Sequence, residues 1–240
     1  MKFSIIVPVY NEEKTISVIL DKLLKVNLKL KREIIIVNDG STDNSKEVVE
    51  DYIKSWPRKE KFKLINKENG GKGSAIKKGI KFCTGDIISI QDADLEYNPE
   101  DYRKLIQPII EGKEKVVYGS RFLKKHKPRY RIYFFGNKFL TLLTKILYNA
   151  EITDMETCYK VFRADVIKNI EIQANHFDIE PEITARILKR GIKIREIPIS
   201  YNPRSIEEGK KINWKDGLQA IWTLIYWRVK RDQEVNSFLI

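Results

Sequence analysis

At 240 residues, 42% hydrophobic and 32% charged, the chain is long enough to bury a sizeable core and too apolar for a disordered one. Its two cysteines, Cys83 and Cys158, exclude a disulfide framework or a cysteine-built zinc cluster, and no run reaches the ~18 apolar residues of a membrane-spanning helix. A formal net charge of +12 calls for an anionic partner, a substrate or a membrane surface; nucleic acid is not expected, because no stacking-aromatic or zinc module accompanies the charge.

In chain order, the first half alternates strand and helix. Residues 3–9 read as a strand so close to the start that no signal peptide is expected. Residues 14–24 carry helical spacing at Ile16, Ile19, Leu20, Leu23 and Leu24. A strand at 33–37, a helix at 45–55, a strand at 62–65 and a helix at 74–82 follow. A fourth strand at 87–90, a helix at 101–110 and a strand at 115–118 complete the half. This alternation predicts an α/β fold: a Rossmann-like, doubly wound, mostly parallel sheet with helices on both faces. Right-handed crossovers then gather the loops after the strands along one edge.

The second half differs. Residues 129–148 form an amphipathic pattern, with Ile132, Phe135, Phe139, Leu142, Leu143 and Ile146 on one face and Arg131, Lys138 and Lys145 along a flank. Such a helix either packs on the core or lies in a membrane interface. A strand at 157–162, a helix at 181–190 and a strand at 193–199 come next. The segment 214–230 is rich in aromatic residues: Trp214, Trp222, Tyr226 and Trp227. If these helices instead pair in a homodimer, Trp222 and Trp227 are expected in its interface.

Chemistry is expected in the loops after the first four strands. The most informative is Asp92-Ala93-Asp94, at the end of the apolar run Ile87-Ile88-Ser89-Ile90. Two carboxylates so close repel unless a cation or proton neutralises them. Short acidic side chains suit Mg²⁺ or Mn²⁺, which share their coordination with substrate phosphates. The pair therefore points to a diphosphate substrate. After the other strands come Pro8-Val9-Tyr10-Asn11-Glu12-Glu13, Asn38-Asp39-Gly40-Ser41-Thr42-Asp43 and Asn69-Gly70-Gly71-Lys72-Gly73. Glu12 or Asp39 can accept hydrogen bonds from ribose hydroxyls or a base N–H. Gly70, Gly71 and Gly73 let the backbone approach a ligand, and Lys72 brings a charge for phosphate. Asp43 reads as a helix N-cap. Neither a Walker A loop nor a Gly-x-Gly-x-x-Gly fingerprint is present, which argues against a P-loop or a dinucleotide cofactor.

Together these loops resemble the family 2 inverting glycosyltransferases of the GT-A fold. The resemblance rests on Ile6-Val7-Pro8-Val9-Tyr10-Asn11-Glu12, Val37-Asn38-Asp39-Gly40-Ser41-Thr42-Asp43, Gly71-Lys72-Gly73-Ser74-Ala75 and Asp92-Ala93-Asp94, in order and on the proper strand ends. The second half is similar to the dolichol-phosphate mannose synthase and polyprenyl-phosphate glycosyltransferase branch. There the matching segments are Tyr118-Gly119-Ser120-Arg121-Phe122, residues 153–163, Tyr201-Asn202-Pro203-Arg204 and residues 208–212.

The resemblance implies roles. Pro8, Tyr10, Glu12 and Asp39, with Lys72, hold the nucleotide. Asp92 and Asp94 hold Mg²⁺ or Mn²⁺ and the donor's ribose and diphosphate. Glu96, which departs from the glutamine common at this position in the mannose synthases, joins the metal shell. Arg121, Arg204, Lys210 and Lys211 meet phosphates of donor or acceptor. Asp94, Asp154 and Arg121 form the catalytic set, with Asp154 a base only if the acceptor is a hydroxyl. The implied reaction transfers mannose or glucose from a GDP- or UDP-sugar to a polyprenyl (dolichyl) phosphate, with inversion. The implied setting is peripheral, on the cytoplasmic face of a membrane. A glycan or soluble hydroxyl acceptor is the alternative; a nucleotidyltransferase or a non-catalytic nucleotide-sugar-binding module ranks below it. The expected organisation is a catalytic domain at 1–212, with a nucleotide-binding half at 1–123 and an acceptor half at 124–212, followed by an aromatic helix and tail at 213–240.

Overall fold

A computed structural model describes residues 1–57, 61–124, 129–204 and 214–230. The strands are β1 (Lys2–Val9), β2 (Lys31–Asp39), β3 (Phe62–Lys67), β4 (Ile87–Ile90), β5 (Val116–Ser120), β6 (Lys160–Arg163) and β7 (Arg195–Pro198). They form one sheet in the order β3-β2-β1-β4-β6-β5-β7. β3, β2, β1 and β4 are mutually parallel; β6 runs antiparallel to both β4 and β5, and β7 runs parallel to β5. The result is an α/β, mostly parallel seven-stranded sheet, as the alternation of strand and helix predicts. β4 and β5 are buried at every position, which is why they read as unbroken apolar runs rather than alternating ones.

Helices cover both faces. Phe3 and Ile6 of β1 point to opposite sides of the sheet. Phe3 meets the ring of Tyr102 edge-on at 5.2 Å. Ile6 lies under α3 (Lys72–Phe82), so close that a Cβ on Gly79 would stand 2.5 Å from its Cγ2. α1 (Ile16–Lys25) buries Ile16, Ile19, Leu20 and Leu23 and packs beside α2 (Ser45–Ser55). Lys22 and Lys25 in the last turn of α1 suit the negative end of its dipole.

The helix expected at 101–110 is broken. A 3₁₀ turn at Pro99–Asp101 leads into α4 (Tyr102–Leu105) and then α5 (Gln107–Ile110). Pro108 is the cause: it lacks the N–H that a continuous helix would aim at Lys104, and its ring crowds that carbonyl. The strand expected from residue 157 begins only at Lys160, and a short α7 (Ala164–Lys168), not expected, follows it at once. α8 (Ile179–Lys189) starts ahead of Pro181, as a first-turn proline allows.

α6 (Arg131–Tyr148) ends at Asn149, which adopts the left-handed conformation of a helix stop. Its expected apolar face is not packed on the core. Ile132, Phe135, Phe139, Leu142 and Ile146 are 53–78% exposed, and the helix instead buries Leu140, Thr141 and Thr144. The buried side of the helix joins Met155, Ala185, Leu224 and Trp227 in a second core, through Leu140, shared with α8 and α9 (Trp214–Val229). Trp227 is 3% exposed, with Arg186 stacked 4.4 Å from its ring, so a homodimer contact through Trp227 is not available. The expected boundary at 212/213 falls outside the described residues. Among the described residues no helix is long and apolar enough to cross a membrane.

Candidate active site

From β1 the chain winds outward to β2 and β3, then crosses back to β4 on the other flank of β1. The loops after β1 and β4 therefore diverge, and a crevice opens at their carboxyl ends. A cavity of about 430 Å³ occupies it. The β1–β3 side contributes Tyr10, Glu12, Asp39 and Asn69, and the β4 tip contributes Asp92 and Asp94. Phe122, Tyr130, Tyr133 and Phe134 line it from the end of β5 and the first turn of α6.

The β4 tip is held from beneath by tyrosines. Tyr102 OH donates to the carbonyl of Ile90 (2.9 Å), and Tyr159 OH donates to Gln91 Oε1 (2.7 Å). Gln91 Nε2 in turn donates to the Asp92 carbonyl (3.0 Å). Leu95 sits in the left-handed region at φ 62°, a costly conformation for a leucine, so the turn after Asp94 is imposed by its surroundings.

Most charges of the site already have partners. Lys72 Nζ lies 2.9 and 3.0 Å from the two oxygens of Asp92 and 3.4 Å from Glu180 Oε1. Burial pushes the Asp92 carboxyl up, but the Lys72 ammonium outweighs it and the net direction is down. Asp94 goes the other way. Burial, then the nearby Asp92 and Glu96 carboxylates, push it up to about 7, against the pull of Arg204. Arg204 Nη2 is 3.3 Å from Asp94 Oδ2, while its Nη1 donates to both oxygens of Glu12 (3.0 and 3.2 Å).

Arg121 and Asp154 form a buried fork. Arg121 Nε and Nη2 donate to the two Asp154 oxygens at 2.7 Å each, and the Arg121 backbone N–H adds a third bond at 2.8 Å. Asp154 is fully buried. With both oxygens engaged, Asp154 anchors the Arg121 guanidinium.

Several expectations need correction. Asp39 does not point a free carboxylate at the cavity. It accepts from the backbone N–H groups of Gly70 (3.1 Å) and Gly71 (2.8 Å) and pairs with Lys67. The glycines are small because the chain itself comes close: a Cβ on Gly71 would lie 2.5 Å from the Asn175 carbonyl oxygen, and one on Gly73 would lie 2.8 Å from that of Ala174. Lys72, expected at a phosphate, pairs with Asp92 in this structure. Glu96 is turned by the Leu95 bend toward the segment at 201–204, accepting from Tyr201 OH (3.0 Å) and from the Arg204 backbone N–H (2.9 Å). Both of its oxygens are thus engaged on that side, and among the described residues no three His, Cys, Asp or Glu side chains converge on one position. Asp43 is not the cap residue. It bonds the N–H groups of Glu13 (3.2 Å) and Ser45 (3.0 Å) and so ties the first two loops together. Lys210 and Lys211 lie outside the described residues. Pro8 and Tyr10 line the cavity as expected.

The sequence reading missed Glu156, His176, Phe177 and Glu180, all in the cavity wall. Glu156 lay inside a matched segment without a role. The other three belong to the approach to α8 and its first turn, which nothing in the local sequence ties to the site.

A family model described as Glycosyl transferase family 2 matches residues 4–171. Among curated proteins, a dolichol-phosphate mannosyltransferase of Pyrococcus furiosus is 28% identical over 248 residues, covering 100% of this chain and 68% of that protein. A dolichyl-phosphate beta-glucosyltransferase of Trichomonas vaginalis is 32% identical over 216 residues, covering 83% of this chain and 65% of that one. Among solved structures, glucosyl-3-phosphoglycerate synthase of Mycobacterium tuberculosis, in complex with Mn²⁺, UDP and phosphoglyceric acid, superposes with a TM-score of 0.74 at 18% identity. That alignment covers 97% of this chain and 80% of the other, a likeness of fold.

Proposed function

The chain belongs to glycosyl transferase family 2, and from that premise we propose that it transfers a hexose, mannose or glucose, from a GDP- or UDP-sugar to a polyprenyl phosphate drawn from a membrane surface. One observation carries this reading: the cavity is chemically two-ended. Carboxylates and Arg204 meet at the β4 tip, while Phe122, Tyr130, Tyr133 and Phe134 line the cavity with aromatic rings from the end of β5 and the start of α6. The outer face of α6 continues that apolar character into solvent, and α9 beside it presents Trp214, Leu218 and Trp222, 57–72% exposed. A charged diphosphate suits the first end, and an apolar chain leading to a bilayer suits the second.

The donor set at the β4 tip fits a divalent cation. Asp92 and Asp94 offer hard oxygen ligands, and burial, with the Asp92 and Glu96 carboxylates beside it, raises the Asp94 carboxyl, a charge a cation would relieve. When bound, Mg²⁺ or Mn²⁺ supplies a Lewis acid for the charge that develops on a leaving diphosphate. Tyr10, Pro8, Glu12 and Asp39 frame the nucleoside side, Asp39 through the glycine loop it holds. Arg204 is placed by Glu12 and Asp94 to meet donor phosphates. Arg121, locked in orientation by Asp154, faces the acceptor phosphate, and Asp154 is its positioning residue. A phosphate monoester is already largely ionised near neutral pH, so its oxygen can attack without a base. This reading treats residues 1–123 as the donor half and the chain from 124 onward as the acceptor half.

The test is to incubate the purified chain with GDP-mannose or UDP-glucose, Mn²⁺ and a short-chain polyprenyl phosphate, and to look for glycolipid by mass. Glycolipid that forms only with the lipid phosphate supports the reading. Transfer to a sugar or other soluble hydroxyl instead would replace the acceptor and leave the family assignment intact. Binding to anionic liposomes that weakens with salt supports the membrane surface, since each Lys or Arg near anionic headgroups is worth about 1 kcal/mol. No co-sedimentation at any salt would remove it.

A further inference from the structure

One carboxyl in the cavity wall has no use in the proposed transfer. Glu156 lies on the segment between α6 and β6, two residues past Asp154. Its Oε1 is shut off from solvent and has no hydrogen-bond partner. Buried carboxyl oxygens rarely go unpaired, because the lost hydration is not replaced. The surroundings do not supply the missing donor. Lys160, fully buried, directs its ammonium to the carbonyls of Met155 (3.0 Å) and Thr157 and to Glu180 Oε2. Arg121 is taken by Asp154 and Lys72 by Asp92. Burial pushes the Glu156 carboxyl up to about 7, with Glu180 and Asp154 adding to the rise against Lys160 and Arg121. A second anion is therefore unwelcome beside it, and a neutral donor is favoured.

Its place in the cavity says which neutral donor. The Glu156 carboxyl feels the charges of both Glu180, which Lys72 links to Asp92 where a diphosphate is expected, and the Arg121–Asp154 fork on the acceptor side. In a nucleotide-sugar the hexose follows the diphosphate, and it must lie between that group and the acceptor. We infer that the Glu156 carboxyl accepts a hydrogen bond from a hydroxyl of the donor hexose and so selects which sugar is transferred. The inference rests on the donor reading just proposed. It gives the chain a sugar-reading group separate from the nucleotide and cation contacts. A site built to bond a hydroxyl penalises an analogue lacking it, because the buried partner is then stranded.

The experiment is a cycle between protein and ligand. Wild type, Glu156→Gln and Glu156→Ala are titrated calorimetrically, in Mn²⁺, with GDP-mannose, UDP-glucose and monodeoxy analogues of each sugar, and with GDP and UDP alone. Wild type is expected to lose about 10- to 100-fold in affinity for one deoxy donor. Glu156→Ala should bind the parent donor more weakly by a similar factor and show no further loss on that deoxy donor. The isosteric Glu156→Gln guards against a folding artefact, and both variants should keep wild-type affinity for GDP or UDP. A wild type that binds neither sugar nucleotide overturns the proposed function and this inference with it. A wild type that discriminates, with Glu156→Ala discriminating equally, overturns this inference alone and leaves a buried water as the partner of Oε1.

Discussion

Two carboxylates at opposite ends of the parallel strands, Glu33 and Asp94, are treated in opposite ways. At the edge where the strands begin, Glu33 receives Ser4 Oγ (2.5 Å), the Thr84 N–H (2.6 Å) and Thr84 Oγ1, with Lys2 Nζ also at 2.5 Å. Burial pushes this carboxyl up, yet those bonds outweigh it and hold it at about 2. At the edge where the strands end, Asp94 has one backbone N–H (3.1 Å) and one side of Arg204, and stands near 7. The same residue class on the same sheet is thus saturated at one edge and under-neutralised at the other. A chain that can satisfy Glu33 so fully has the means to satisfy Asp94. A perturbed carboxyl lining a cleft, as Asp94 is, points to a functional group rather than to scaffold.

If that contrast is functional, Asp94→Asn should separate activity from stability. Sugar transfer should fall by roughly 100-fold or more, because cation-based stabilisation of a leaving diphosphate is worth several kcal/mol. The melting temperature at pH 8 should rise at the same time, since a repelling charge leaves the acidic cluster. Mn²⁺ should raise the melting temperature of wild type and not of the variant. Full activity of Asp94→Asn in chelator would break the comparison at its centre.

Arg204 sharpens it at the next level of effect. Its guanidinium spans two carboxylates, Glu12 and Asp94, from opposite ends of the planar fork. A lysine can reach one of them and offers a point charge. Arg204→Ala should lower turnover about 10- to 100-fold and Arg204→Lys by less, with the loss partly in donor affinity. Equal, wild-type kinetics in both would mean that Arg204 only pairs with Glu12 and Asp94 and takes no part in turnover.

The strand-end loops were legible because buried parallel strands are short apolar runs, and the residues after each run must sit at the sheet edge. Asp92, Asp94, Glu12 and Arg204 were found that way, or through the family motifs. Partners distant in sequence were not legible. Lys72 meets Asp92 twenty positions on, and Gly71 and Gly73 are small because residues 174–176 press on them. Strand direction was hidden too: β6 reverses between β4 and β5, and a buried run reads the same both ways. The spacing along α6 predicts an apolar face, but periodicity does not say what covers a face. In this chain nothing within the described residues covers Ile132, Phe135 or Ile146.

The smallest expected effect tests the opposite edge. Glu33→Gln removes a charge that the scaffold has fully partnered, so it should cost stability and leave turnover alone. The sign is set by the depressed carboxyl. In the unfolded chain Glu33 titrates near the ordinary ~4.3, and in the folded chain near 2, so the stabilisation is complete above about pH 5 and is lost as pH falls toward 2. Its size is discounted because Lys2 is 37% exposed and solvent screens part of the pair, leaving about 1 kcal/mol at pH 7. Denaturant titrations of wild type and Glu33→Gln at pH 7 and at the lowest pH where both stay folded would measure it. The gap should narrow in acid. A gap that is constant with pH would assign the loss to the Ser4 and Thr84 hydrogen bonds rather than to the charge. A gap in turnover instead of stability would mean that the two edges are not divided between scaffold and site.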